Sequence, residues 1–409
     1  MSSSSLQGKI KTSFDSTPAS FVSCAFASVA SLDFGVFRSP FNIDKDKNMK
    51  KFNIAIIGCG KVAHLHAKAI NNLQRARLVS VWSRTTTSAE TFAAMYNVKP
   101  YRDIPSMIRE SAIDLAIICN PHPFHKDAAV EAARAGAHVL VEKPLASTLE
   151  HSDMIIDACR NAGVRLGVIS QRRWYAPVQR IRAAINEGKI GTPVLGTVHM
   201  LGWRDKAYYD SDPWRGTWDM EGGGVLINQA PHQLDILLWF MGEVDEVYGV
   251  WRNLNHPYIE VDDTALAIVK FKSGAIGNII VSNSQKPGIY GKVHIHGSNG
   301  ASVGVQTDGG AMFVAGMSSV LEPPVNDLWT VPSEEHLLNV WKCEDSAVFE
   351  QIDPTIYYFE RQIEDFLQAI ENNRDPLVDG TAGRRTVELI TAIYRSTRNN
   401  APVKCPLCF

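Results

Sequence analysis

Four polar side chains in apolar surroundings have the types and spacing that proton-transfer chemistry needs. The segment NQAPHQLD, residues 228–235, breaks the apolar pattern of GGGVLINQAPHQLDILLWFMG with Asn228, His232 and Asp235. Spacings of four and three put all three on one face of a helix. A neutral imidazole, with an ordinary pKa of ~6.5, can take a hydroxyl proton near neutral pH. Asp235, one turn on, can orient that ring or favour its protonated form, and the Asn228 amide can position a hydroxyl as donor or acceptor. The fourth group is Lys143, at the end of the apolar run HVLVEKP. An ammonium there can hydrogen-bond a reacting oxygen and ease its alkoxide character. A histidine bonded to an aspartate is also common in ordinary cores. The glycines Gly222, Gly223 and Gly224 weigh toward a ligand, because they let one approach the helix start closely. Pro231 suits the first turn of a helix, which sets the polar face near a helix end.

The elements that must hold these groups begin with FNIAIIGCGKVAHLHAKAI, an apolar strand running through G-x-G-x-x-A into a helix. Gly58 permits the tight turn, Gly60 lets backbone approach a pyrophosphate, and Ala63 keeps the helix close to the strand, with Lys61 and Val62 in the same turn. The helix start offers free N–H groups and a positive dipole end to phosphates. A second strand, RLVSVWSR, ends in Ser83 and Arg84 where an NAD site commonly carries an acid. Arg84 suits the 2′-phosphate of NADP or a stack on adenine with either cofactor, and a solvated surface role is its alternative. The cofactor read here is NAD(P), with a slight tilt to NADP. IDLAIICNPHPFH is a third strand leading to Asn120 and His125, HVLVEKP a fourth ending in Glu142 and Lys143, and RLGVISQRR a fifth ending in Gln171, Arg172 and Arg173. Helical stretches alternate with these strands, including one over residues 149–162. The pattern is that of parallel βαβ units in a doubly wound sheet, whose ligands sit beyond the carboxyl ends of the strands.

Between the halves lies GWRDKAYYDSDPWRGTWDMEGGG, dense in aromatic and charged groups. Tyr208, Trp214 and Arg215 suit the C–H faces and hydroxyls of a pyranose, or a sealing role over the cleft. Arg172, Arg173 and Arg215 can hold a substrate carboxylate or phosphate, or pair internally. Beyond residue 243 strands dominate. DTALAIVKFKSGAIGNIIVSNSQ reads as a hairpin turning at Ser273-Gly274, and KVHIHGSNGASVGV as another turning at Ser298-Asn299-Gly300. Lys286, Tyr290 and His294 are further candidates for the cleft. Alternation in these strands implies a sheet with one covered face; the other face predicts a homo-oligomer, a dimer or tetramer. Helices over 356–372 and 382–398 are expected to brace the first domain.

Composition narrows the function classes. With 409 residues the chain is long enough for two domains. A net charge of −2 argues against nucleic-acid and membrane-surface partners, which call for a basic excess. Seven cysteines, an odd number, include Cys59, Cys119 and Cys159 in apolar segments, the usage of a reduced, cytoplasmic protein. No apolar run reaches the ~20 residues of a membrane span. His64/His66 and His122/His125 form pairs without an evident third ligand, so no metal is expected. Residues 1–48 are Ser-rich and aperiodic and read as a disordered extension. The boundaries read are 49–172 for a Rossmann NAD(P)-binding domain and 173–409 for a substrate-binding and oligomerisation domain.

These residues together resemble the glucose–fructose oxidoreductase / inositol dehydrogenase / MocA (Gfo/Idh/MocA) family. The resemblance rests on AIIGCGKVA, CNPHPFHKDAAVEAARAGAHVLVEKPLA, GGGVLINQAPHQLDILLWFMG and QIEDFLQAIENNRDPLVDG, and spans most of residues 52–407. It implies an α/β fold: a Rossmann domain plus a C-terminal α/β domain on an open, mainly antiparallel sheet, often used for oligomerisation. It implies Lys143 as the EKP lysine and His232 as the catalytic histidine. Many members carry Asp where this chain has Asn228, which removes one charge from the site. YYDSDPWRGTW is similar to segments of nucleotide-sugar and sugar 3-dehydrogenases. The implied activity is NAD(P)-dependent oxidation or reduction of a sugar, glycoside or nucleotide-sugar hydroxyl, at C3 in those branches. An inositol (cyclitol) dehydrogenase and a non-catalytic NAD(P)-sensing regulator are the alternatives. A regulator would be expected to lose Lys143 or His232.

Overall fold

The computed structural model describes residues 50–307 and 322–407, apart from the side chains of Pro287 and Tyr290. The extension 1–48 and the side chain of Tyr290 therefore lie outside the described residues.

The continuous apolar runs of the first half become six parallel strands: β1 (Phe52–Ile57), β2 (Ala76–Trp82), β3 (Lys99–Tyr101), β4 (Leu115–Ile118), β5 (His138–Val141) and β6 (Leu166–Val168). Their order is β3-β2-β1-β4-β5-β6. The runs are apolar on both sides because helices cover both faces. Ile54 and Ile56 pack with Ala63, Ala67 and Ile70 of the helix Lys61–Asn72; Ala55 and Ile57 pack with Met107 and Ala129 on the other side. The order reverses between β1 and β4, so a crevice opens beyond their carboxyl ends.

The second half supplies β7 (Pro193–Trp203), β8 (Val244–Arg252), β9 (Thr264–Phe271), β10 (Ile276–Ser282), β11 (Ser284–Gly297), β12 (Ser302–Gln306), β13 (Val325–Trp329) and β14 (Val403–Lys404). They form one mixed sheet, β13-β12-β11-β7-β10-β9-β8-β14, antiparallel throughout except where β7 meets β10. β9 shows why one face is covered: Ala265, Ala267, Val269 and Phe271 are buried while Leu266 and Ile268 are exposed. The helices Pro231–Met241 and Gly380–Asn399 lie on the covered face, the latter tied by Ser396 Oγ to the Gly249 amide at 2.9 Å.

Two features aim the site. The helix Tyr357–Glu371 lies against Lys61–Asn72, and its Gln362 accepts from the Ser170 amide at 2.9 Å and donates to the Val168 carbonyl at 2.7 Å. That satisfies the backbone where β6 ends and holds the turn carrying Gln171, Arg172 and Arg173. The helix expected to run through Asn228 and Asp235 is divided instead into Val225–Asn228 and Pro231–Met241. Pro231 lacks the amide needed to continue the first piece, so the chain turns at Gln229–Ala230. No helix among the described residues is long and apolar enough to cross a membrane.

Candidate active site

The crevice at the β1–β4 switch is built as a dinucleotide cradle. Gly58 has φ +99°, and a Cβ there would lie 2.6 Å from Asn120 Cα, so only glycine fits between the ends of β1 and β4. Gly60 is the opposite case: no protein atom lies within 4 Å of the position a Cβ would take. The helix Lys61–Asn72 starts there with no capping side chain and no acid in its first turn. The amides of Lys61 and Val62 are thus left for an anion, while that of Ala63 donates to the Gly60 carbonyl at 3.1 Å. Ala63 is fully buried, Lys61 exposed and Val62 half-buried against the core. The Oδ1 of Asn120 and the Oε1 of Gln171 are buried without a partner, acceptors suited to an N–H or O–H of a bound cofactor. Arg84, exposed beyond β2, stacks over the Phe124 ring at 4.9 Å, and Ser83 lies beside Cys59. These residues fit a pyrophosphate and its nucleoside.

Two residues expected at the cofactor also serve as internal braces. His125 sets its ring between two carbonyls, Asn120 at 2.8 Å and Pro144 at 3.0 Å, joining the segments that follow β4 and β5. Glu142 pairs with buried His66 at 2.7 Å and accepts the Lys143 amide at 3.1 Å. Burial opposes ionisation of Glu142, but the His66 bond and the Lys143 charge outweigh it and lower its pKa.

Lys143 donates to the carbonyl of Asn228 at 2.7 Å, which bridges the end of β5 to the second half of the chain. Burial lowers its pKa to about 8, Glu142 pulls it back upward, and Arg215 and Arg172 push it further down. His232 is buried, its Nδ1 lacks a partner, and burial followed by Arg172 and Lys143 holds its pKa well below the ordinary value. Lys143 and His232 line one cavity of about 20 Å³ with Ser170 and Asp235, room for about one water. The two groups that sequence placed in different halves of the chain therefore line one cavity.

Asp235 does not orient His232. Its two carboxylate oxygens take Arg173 Nε and Nη2, both at 2.7 Å, and Ser170 Oγ at 2.5 Å. This corrects the expectation for Arg173 as well. Its guanidinium is consumed by Asp235, the Leu377 carbonyl and the Trp239 ring, not offered to substrate. A buried bidentate pair leaves neither partner available without exposing the other unpaired. Arg172 is also buried and reaches Thr307 Oγ1 at 3.3 Å.

The aromatic segment closes the other side. Arg215 lies over the Trp214 ring at 4.3 Å and the Tyr208 ring at 4.4 Å, and donates to Tyr208 Oη at 2.7 Å. Tyr208 Oη also takes Gln229 Nε2 at 2.9 Å and Asn228 Nδ2 at 3.3 Å. Asn228 Nδ2 donates to the carboxylate of Glu221, whose second oxygen takes the Gly216 amide at 2.6 Å. Burial raises Glu221 to about 7 against those bonds and Arg215. His122 bonds the Glu221 carbonyl and stands edge-on to Trp214 at 5.2 Å, and burial above all lowers it to about 3.

Residues 52–170 match the family model described as an oxidoreductase family with an NAD-binding Rossmann fold, and residues 178–303 match the GFO/IDH/MocA C-terminal domain. The chain belongs to the GFO/IDH/MocA oxidoreductase family. Within it, the chain is 25% identical to the scyllo-inositol 2-dehydrogenase (NAD(+)) of Bacillus subtilis (strain 168), over 86% of this chain and 95% of that protein. It is 28% identical to the WlbA dehydrogenase of Bordetella pertussis, solved with NADH and UDP-GlcNAcA, with a TM-score of 0.76 over 88% of this chain and 99% of that one. The WlbA dehydrogenase of Chromobactrium violaceum, also solved with NADH and UDP-GlcNAcA, is 26% identical with a TM-score of 0.74, over 88% of this chain and 98% of that one. The chain is an oxidoreductase with the NAD-binding fold of its family.

Sequence reasoning did not single out Glu221 or Ser170. The acid directly before the three glycines was the available signal for Glu221; nothing in the order of residues marks Ser170 as the partner of Asp235. Of the weaker candidates, Lys286 is exposed, and His294 on β11 is paired with Asp327 on β13 at 3.0 Å.

Proposed function

We propose that this enzyme transfers a hydride between NAD(P) and a secondary hydroxyl or ketone of a sugar, glycoside or nucleotide sugar. The observation that carries the reading is that Lys143 and His232 line one cavity; the uncapped helix start and the open Gly60 supply a dinucleotide cradle in the same chain. Bound NAD(P) supplies the hydride acceptor or donor. The protein handles the proton. His232, kept neutral by burial, Arg172 and Lys143, takes a hydrogen bond from the substrate hydroxyl but is a poor place for the proton to rest. Lys143, at about 8, exchanges protons near neutral pH: its amine accepts the hydroxyl proton in oxidation and its ammonium returns it in reduction. Asn228 supports the substrate from the same side, and Tyr208, Trp214 and Arg215 offer aromatic faces and a cation.

The nucleotide-sugar reading draws support from the structural likeness to the two WlbA dehydrogenases. A cyclitol is the second reading, supported by relatives named as inositol 2-dehydrogenases that align over 83–86% of this chain. The test is the absorbance of reduced nicotinamide with NAD or NADP against UDP-GlcNAcA, free pyranoses, glycosides and inositols. Turnover of a sugar class supports the first reading, turnover of inositols alone the second, and turnover of neither overturns both. At the end of β2 the charge on Ser83–Arg84 is cationic, which supports acceptance of the NADP 2′-phosphate. Arg84→Ala is expected to raise KM for NADP more than for NAD. The exposed apolar side chains of the second sheet support a homo-oligomer through that face.

A further inference from the structure

The phenol oxygen of Tyr208 is surrounded by donors. Arg215 Nη1 at 2.7 Å has no acceptor capacity at any pH. Asn228 presents its NH2 side, because Glu221, in the carboxylate form that prevails above pH ~7, accepts the other hydrogen of that amide. Gln229 presents Nε2 at 2.9 Å because its Oε1 already takes Asn283 Nδ2 at 3.0 Å. The buried Arg204, another obligate donor, also hydrogen-bonds the phenol. An oxygen with two lone pairs is saturated by such a set. No acceptor for the Tyr208 O–H exists among the hydrogen bonds of the described residues, and Asn228 Oδ1 likewise has no partner among them.

From this directed network, which rests on the proposed sugar oxidoreduction, we infer that Tyr208 O–H and Asn228 Oδ1 form a donor–acceptor couple that recognises one hydroxyl of the substrate. A hydroxyl both accepts and donates, so it satisfies the two groups together. A group that only accepts, or a bare C–H, leaves one of them unmet beneath the substrate. Glu221 is the positioning residue: it touches no substrate, and it sets which end of the Asn228 amide faces the cleft.

The test compares wild type with Tyr208→Phe, which keeps the ring stacked on Arg215, and with Glu221→Gln, whose amide can donate as well as accept. The probes are UDP-GlcNAcA and its monodeoxy analogues with NAD, and melting curves establish folding. In wild type, one deoxy analogue is expected to lose roughly 100-fold or more in kcat/KM. Tyr208→Phe is expected to lower kcat/KM for the parent sugar by roughly 10–100-fold, mostly through KM, and to shrink that discrimination to a few-fold. Glu221→Gln is expected to move both in the same direction by less, with Kd for NAD unchanged. A folded Tyr208→Phe that keeps wild-type discrimination overturns the inference. A second arm is independent of turnover. In a crystal structure of the NAD-loaded enzyme, a water or ligand oxygen must lie within about 3 Å of both Tyr208 Oη and Asn228 Oδ1. A protein carbonyl or carboxylate accepting from Tyr208 overturns the inference. If wild type oxidises no sugar, the proposed function fails, and this second arm still decides the couple.

Discussion

At the scale of single residues, burial decides what each charged group can do. Lys143 and Arg173 both lie in the site region, yet only Arg173 has its charge matched by a carboxylate in direct contact. Lys143 is therefore the titrating group. Its amine form, needed for oxidation, is populated as pH rises through about 8. We expect kcat for alcohol oxidation to climb to a plateau above pH ~8, and ketone reduction to decline over the same range. A flat profile between pH 6 and 9 in both directions would remove Lys143 from proton transfer. The lowered pKa also sets a stability trend. Between its folded value of about 8 and the ordinary Lys value the unfolded chain binds more protons, so stability rises with pH through that window and the buried ammonium destabilises below it. Lys143→Met is thus expected to stabilise the fold at pH 7 by roughly 1–3 kcal/mol while removing activity. For Arg173→Ala, chemical denaturation should show a loss of roughly 3–5 kcal/mol, because Asp235 is left charged and buried. A loss under ~1 kcal/mol would mean that the pair is not desolvated as described. Lys143, His232 and Asn228 were legible in the sequence as polar residues set in apolar surroundings. The partner of Asp235 was not, since periodicity fixes which face a side chain occupies but not what waits across the gap.

At the scale of elements, the two glycines of the first turn separate folding from binding. Gly58 is held at positive φ against Asn120, whereas Gly60 has extended backbone that any residue adopts and open space beyond it. Gly58→Ala should cost roughly 1–3 kcal/mol of stability. Gly60→Val should melt like wild type yet weaken NAD binding by roughly tenfold or more, measured by calorimetry. If Gly60→Val binds NAD normally, the cradle is not where the pyrophosphate lies. The parallel doubly wound sheet and the helix ranges were readable because apolar runs, glycine turns and 3.6-residue periodicity are local signals, whereas the short strand Lys99–Tyr101, three residues with no buried side chain, was missed. The hairpin at Ser273-Gly274 and the helix Leu149–Ala162 fall where pattern put them. The interruption at Gln229–Ala230 was half legible: Pro231 indicated a helix start, but the three-polar-residue face suggested a single helix. With two segments, Asn228 turns to Tyr208 and Glu221 while Asp235 turns to Arg173.

At the scale of the whole molecule, the second sheet carries Leu266, Ile268 and Ile276 on its outer face, 49%, 57% and 52% exposed. A row of large apolar groups on an open sheet is unusual for a surface facing water. Ile268→Glu with Leu266→Glu is expected to lower the assembly to monomers in sedimentation experiments while the melting curve of each protomer stays cooperative. A wild-type monomer at micromolar concentration contradicts the oligomer. This face was legible from alternation alone; the internal pairings that brace the site required coordinates, because His66–Glu142 and Arg173–Asp235 join residues 76 and 62 positions apart.

The central claim is that one amine at the end of β5 moves the substrate proton while bound nicotinamide exchanges the hydride. The most direct measurement is nicotinamide absorbance in wild type and Lys143→Met, with NAD affinity determined in parallel. The account predicts that the variant binds NAD with unchanged Kd and loses roughly 10²–10⁴-fold in kcat. A Lys143→Met enzyme with wild-type kcat would contradict it.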